Sequence, residues 1–90
     1  GQLEIESRGE SSGFIDLLLT PKHDTSLPSY VIEVKHLKTD ATDEAVQKAL
    51  AEAKTQAERY AQGEAVKRIS NLKRLALVYK GLRLSAFEIF

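Results

Sequence analysis

Phe14-Ile15-Asp16-Leu17-Leu18-Leu19-Thr20 and Tyr30-Val31-Ile32-Glu33-Val34-Lys35 are two apolar runs, each broken by charge. Runs this short, rich in β-branched and aromatic residues, read as strands. The near-continuous apolarity of the first marks a strand buried on both faces. A buried strand does not keep a charge unless that charge is paired or holds a metal. Here the first strand carries Asp16 and the second carries Glu33 and Lys35. Successive side chains in a strand point to opposite faces, so Glu33 and Lys35 emerge on the same side. Residues 21–29 hold two prolines, Asp24 and Ser26, and read as a hairpin-like connection. In a suitable register Asp16 then lies beside Glu33, and two carboxylates and one ammonium share a pocket.

Outward from this pair, residues 2–5 alternate polar and apolar through Leu3 and Ile5, a weak strand signal. Residues 7–13, rich in Gly and Ser, read as a turn or bulge. Beyond Lys35 the period changes. Asp40 or Thr42 can cap a helix, and Asp43 and Glu44 fall in its first turn, where the dipole favours acids. Val46, Leu50, Ala53, Ala57 and Tyr60 form an apolar stripe at helical spacing. Glu44, Lys48 and Glu52 make an i,i+4 ladder on the other side. The stripe is interleaved with alanines, which allow a helix to lie close on a sheet and have the best helix propensity. Gly63 ends or bends this helix, and residues 64–70 can resume it for a turn or two with Val66 and Ile69 inward. Residues 75–79 and 84–89 read as closing strands joined by a turn at Lys80-Gly81. The order β-β-β-α-β-β predicts an α/β fold (α+β by stricter counting): a mixed sheet of four or five strands with one main helix on a face. There is no internal repeat.

Composition sets the outer limits. Ninety residues make one domain with a modest core. The 42% hydrophobic and 29% charged content is that of an ordinary soluble globular protein. With no cysteine, disulfides, zinc fingers and thiol catalysis are excluded, and any metal must take oxygen or imidazole ligands. No apolar run approaches the ~18 residues of a membrane span, no signal peptide is visible, and a cytoplasmic location is the expectation. The chain starts at Gly1 and contains no methionine, so a single domain excised from a longer protein is expected, with Gly1 as a tag remnant. Thirteen basic and thirteen acidic residues cancel. Tight autonomous binding of nucleic acid usually needs a basic surplus.

The residue types at the pocket suit one chemistry. Asp16 and Glu33, helped by the backbone carbonyl of Val34, would ligate Mg²⁺ and leave positions for water and phosphate. Such an ion polarises a phosphoryl oxygen and activates water. Lys35 would orient that water, keep it deprotonated, or offset charge on the phosphate.

These residues resemble the PD-(D/E)XK phosphodiesterase superfamily. Gly13-Phe14-Ile15-Asp16 stands as the strand with the first acid, and Glu33-Val34-Lys35 as the E-x-K element. Gln56-Ala57-Glu58-Arg59-Tyr60 is similar to the Q-x-x-x-Y element of RecB-like and Cas4-like members. More narrowly, residues 49–60 followed by Leu75-Ala76-Leu77-Val78-Tyr79-Lys80-Gly81 resemble the C-terminal nuclease domains attached to predicted AAA-type ATPases. The resemblance covers residues 13–90. It implies a restriction-endonuclease-like core and an endo- or exodeoxyribonuclease acting on DNA, with Mg²⁺ as cofactor and Mn²⁺ as substitute. Asp16, Glu33 and Lys35 would be catalytic, Asp16, Glu33 and Val34 would hold metal, and Gln56 and Tyr60 would be accessory. A fused or partner AAA-type ATPase domain is the implied partner, with no membrane; the small sheet with open edges also suits a homodimer. Two features depart from the pattern. Phe14 stands where the resembling domains usually carry Arg, and no helix precedes Gln2 to donate a further acid, for which Glu4, Glu6 or Glu10 could substitute.

Plainer readings stand beside these. Asp16 could be a structural acid, and Glu33 and Lys35 a solvated face of an edge strand. Tyr60 could simply pack on the sheet. His23 reads as exposed and idle, and His36 should point away from the metal face. Lys67, Arg68, Lys73 and Arg74 read as solvated surface. No G-x-x-x-x-G-K loop is present, so ATP is not expected to bind. A degenerate nuclease fold used as an interaction or dimerisation module is the alternative function; a restriction-type or repair endonuclease is a third.

Overall fold

The computed structural model describes residues 3–9, 14–22, 26–64 and 66–90, with side chains from Asp16 onward within those ranges. Five strands and one helix follow in the order β1 (Leu3–Gly9), β2 (Phe14–Pro21), β3 (Ser29–Leu37), α1 (Asp43–Ala61), β4 (Leu72–Lys80) and β5 (Arg83–Ile89). The strands lie side by side in chain order in one sheet. Pairing is antiparallel except between β3 and β4, which run parallel. A parallel pair needs a crossover of a dozen or more residues, and α1 supplies it. The mixed sheet with one helix against a face is the α/β restriction-endonuclease-like core anticipated above. Among the described residues, no helix is long and apolar enough to cross a membrane.

Where the elements run longer than local sequence suggests, pairing explains it. β1 continues through Ser7, Arg8 and Gly9, which read as a turn in isolation, because they pair with Leu17, Asp16 and Ile15. An apolar neighbouring strand overrides weak β propensity. β4 likewise begins at Leu72, opposite Ser29 of β3. The stretch after α1 does not resume as a helix. Both Val66 and Lys67 donate their N–H to the carbonyl of Gly63, and Ile69 donates to Val66, which makes a run of turns. Val66 is nonetheless buried and Ile69 packs against the same cluster.

Of the two candidate caps, Thr42 is the one used: its Oγ1 accepts from the Ala45 N–H at 3.1 Å. The helix buries Val46, Ala49, Ala53, Ala57 and Ala61, while Leu50 and Tyr60 flank this line half-buried. Small side chains occupy the centre because the helix sits close to the sheet. Ala53 meets Ala76; Val46 and Ala49 meet Val78; Ala57 and Ala61 meet Leu18 and Val31. At the far edge, Phe90 exchanges two backbone hydrogen bonds with Arg74, and its ring lies 5.4 Å from both Lys54 Nζ and the Arg74 guanidinium. Lys54 also pairs with Glu88 at 2.7 Å. This clasp ties α1 to β5.

The register sorts the strands into two faces. Leu18, Val31, Ala76 and Val78 lie under α1. Rows of the opposite face cross the sheet as Leu17, Ile32, Leu75 and Ile89, and as Val34, Leu77 and Phe87. Phe87 and Ile89 are 60% and 59% exposed.

Candidate functional site

Asp16 and Glu33 are direct cross-strand partners of β2 and β3. Residues so paired have Cβ atoms about 4.5–5.5 Å apart and share a face. Lys35, two residues on from Glu33, emerges on that same face, and its register partners are Phe14 in β2 and Val78 in β4. The face is the one covered by α1, since Val31 and Val78 belong to it. Glu33 consequently has no exposed surface at all, whereas Asp16 and Lys35 are half-buried at its rim. The two carboxylates thus face each other at the edge of the covered face, Glu33 inside and Asp16 at the rim. Two ionised groups about 5 Å apart repel by about 3 kcal/mol at an effective dielectric constant of about 20. Such a pair is relieved by a proton shared between the two groups or by a cation beside them.

The chain matches the sequence profile described as the PD-(D/E)XK nuclease superfamily over residues 2–87. It belongs to that superfamily. Comparison with curated proteins and comparison with solved structures each return no significant match. The superfamily is one of nucleases that generally use divalent metal ions.

The acid pair fits such an ion. Asp16 Oδ1 is buried and accepts no hydrogen bond from any described residue. A buried carboxylate oxygen of this kind can serve as a ligand to a hard cation. Among the described residues, no group of three or more His, Cys, Asp or Glu gathers. Two carboxylates with water and substrate oxygens completing the shell is the arrangement of a small hard cation that dehydrates reluctantly. The Val34 carbonyl lies in β3, which is hydrogen-bonded on both sides by β2 and β4. A carbonyl has two lone pairs, so one can serve the ladder and the other a ligand.

Gln56 and Tyr60 sit one turn apart on α1. Lys54 reaches β5 from one flank of the buried stripe, and helical geometry puts Gln56 on the other flank, toward β2. Gln56 is half-buried and its Oε1 accepts from Arg59 at 3.5 Å. Tyr60 packs against the cluster of Leu18, Val31 and Ala57. His36 points to the opposite side from Lys35, as adjacent strand residues do, and its Nε2 lies 2.6 Å from the carbonyl of Gly81. That contact pins the β4–β5 turn, a role no sequence signal suggests.

Other candidate groups in this superfamily member fall elsewhere. Glu10, Gly13 and His23 lie outside the described residues, as do the side chains of Glu4, Glu6 and Phe14. The backbone of β1 places Glu6 opposite Leu18 and Arg8 opposite Asp16. Arg8 carries no local strand signal, because Ser7-Arg8-Gly9 reads as a turn in isolation. In the basic group, Lys67 pairs with Glu64 at 3.0 Å and Arg74 stacks on Phe90. Among the described residues, a cleft of about 480 Å³ lies by Lys80 and Arg83 at one end of the sheet, and one of about 310 Å³ by Arg68 and Asn71 at the other.

Proposed function

We propose that this chain is a Mg²⁺-dependent nuclease domain that hydrolyses DNA phosphodiester bonds, with Mn²⁺ able to substitute. The observation that carries this reading is the direct pairing of Asp16 with Glu33, with Lys35 on the same face. Asp16 and Glu33 would hold the ion, with the Val34 carbonyl as a third oxygen. When bound, the ion supplies charge to polarise a phosphoryl oxygen and acidify water. Glu33, fully buried, is the fixed anchor. Asp16 and Lys35 form the accessible rim, so the scissile phosphate approaches from their side of α1. Lys35 presents its ammonium to the attacking water or to the phosphate, and its place two residues from Glu33 keeps it at the reacting centre. Gln56 and Tyr60 steady the helix over this pocket. The reading extends to a cytoplasmic domain of a longer protein, fused or partnered with an AAA-type ATPase. Incubating the domain with plasmid and linear DNA, with Mg²⁺ or with EDTA, tests it: cleavage that needs the ion and vanishes in Asp16→Ala supports it, and an active Asp16→Ala protein refutes it.

A second reading has its own support. The open face carrying Leu75, Leu77, Phe87 and Ile89 is apolar and exposed at its β5 edge, which suits a degenerate nuclease fold serving as an interaction or homodimerisation module. Absence of both cleavage and ion binding, together with self-association, would favour that module.

A further inference from the structure

The 480 Å³ cleft is formed between the start of α1, through Asp43 and Gln47, and the β4–β5 turn, through Lys80 and Arg83. Its position follows from the register. Leu37, at the end of β3, is paired with Lys80, and Lys80 with Arg83. Leu37 lies four residues beyond Glu33 on the same face, so the cleft is about 13 Å from the acid pair along the strands. It opens at the carboxyl ends of the two parallel strands, where α/β sheets commonly receive ligands. Its two cations share the face of the acid pair, because Lys80 pairs with Leu37 and Arg83 with Lys80. Arg83 is exposed and makes no ion pair among the described residues, and Lys80 Nζ is steadied by the Ala41 carbonyl at 3.3 Å without meeting a carboxylate. The cleft at the opposite end of the sheet is lined by a single cation, Arg68, while nearby Lys67 pairs with Glu64 and Arg74 stacks on Phe90.

We propose that this cleft holds a backbone phosphate of the nucleic-acid strand whose scissile bond lies at Asp16 and Glu33, with Lys80 and Arg83 as its ligands. The inference rests on the nuclease reading and names where its substrate is gripped. The gripped phosphate is then distinct from the reacting one and lies within a few nucleotides of it on the same strand. With a net charge of zero, the domain has no general attraction for a polyanion. Two cations on the face of the acid pair therefore have a disproportionate share in holding substrate.

The test is the salt dependence of binding, measured in EDTA so that no cleavage occurs. A fluorescein-labelled single-stranded DNA of about 12 nucleotides is titrated with the domain from about 50 to about 200 mM NaCl and followed by anisotropy. Each phosphate contact contributes about 0.7 to the slope of log K against log salt on single strands. Arg83→Ala, on an exposed side chain, and Lys80→Gln should each lower the slope by about that amount and weaken binding several-fold. Lys67→Ala should leave both unchanged. Slopes unchanged in both cleft variants, or equal losses in Lys67→Ala, would overturn the cleft while leaving the nuclease reading to the cleavage assay. Absence of DNA binding by the unaltered domain would also overturn the cleft. A domain that loses slope in the cleft variants yet never cleaves would keep the cleft and lose the nuclease.

Discussion

Asp16 and Glu33 face each other across β2 and β3, one carboxylate opposite another on the covered side of the sheet. Like charges directly opposite are destabilising in a sheet, so the pair sets stability against ion binding. Asp16→Asn relieves the repulsion and keeps the shape. Without metal it should stabilise the domain by about 1 kcal/mol, or about 4–8 °C in Tm for a chain of this size. Thermal unfolding in EDTA checks this. A purely structural Asp16 would give a lower Tm.

Lys35 is separable from the ion. Lys35→Met keeps the length of the side chain and removes its charge. Cleavage should fall by about 100-fold or more, the usual loss for a positioned group that serves proton transfer. The Tm gain on adding Mn²⁺ should be retained. Loss of that gain together with activity would make Lys35 part of the fold's charge balance rather than of the chemistry.

The closeness of α1 to the sheet depends on small residues. Ala53 has no exposed surface and meets Ala76. Ala53→Leu forces extra methylenes into this contact and should cost about 1–3 kcal/mol. Urea unfolding measures it. An unchanged midpoint would show that the helix can ride higher without loss.

The clasp at β5 offers a contrast of magnitudes. Phe90 packs on two core clusters and under two cations, whereas Lys54 and Glu88 are 35% and 41% exposed. Phe90→Ala should cost about 2 kcal/mol through lost burial and cation–π contact. Glu88→Gln should cost under about 1 kcal/mol, as exposed ion pairs do. Equal losses in urea unfolding would contradict this ranking.

The strands β2 and β3 and the helix were legible because their signals are local. Asp16, Glu33 and Lys35 stand out against apolar neighbours, and the alanines recur at helical spacing. The placement of α1 over the acid pair was not legible, because period-2 alternation says which residues share a face and not which face is covered. The continuation of β1 through Arg8 and Gly9 was hidden for a similar reason: only the partner strand makes Ser7-Arg8-Gly9 extended. The contacts of His36 with Gly81 and of Arg74 with Phe90 span 45 and 16 positions, beyond what local pattern reaches. Parallel pairing of β3 with β4 needed α1 as a crossover, and the helix was visible while its consequence for strand order was not.

Binding of a divalent ion by Asp16 and Glu33 is tested most directly by thermal unfolding of the unaltered domain, Asp16→Asn and Glu33→Gln across a Mn²⁺ titration. An ion at ten times its Kd adds about 1.4 kcal/mol by linkage, which is about 6–11 °C of Tm here. The unaltered domain should rise by that amount and both variants should stay flat. A Tm that does not move at millimolar Mn²⁺, or variants that rise as the unaltered domain does, would contradict the assignment of the ion to this pair.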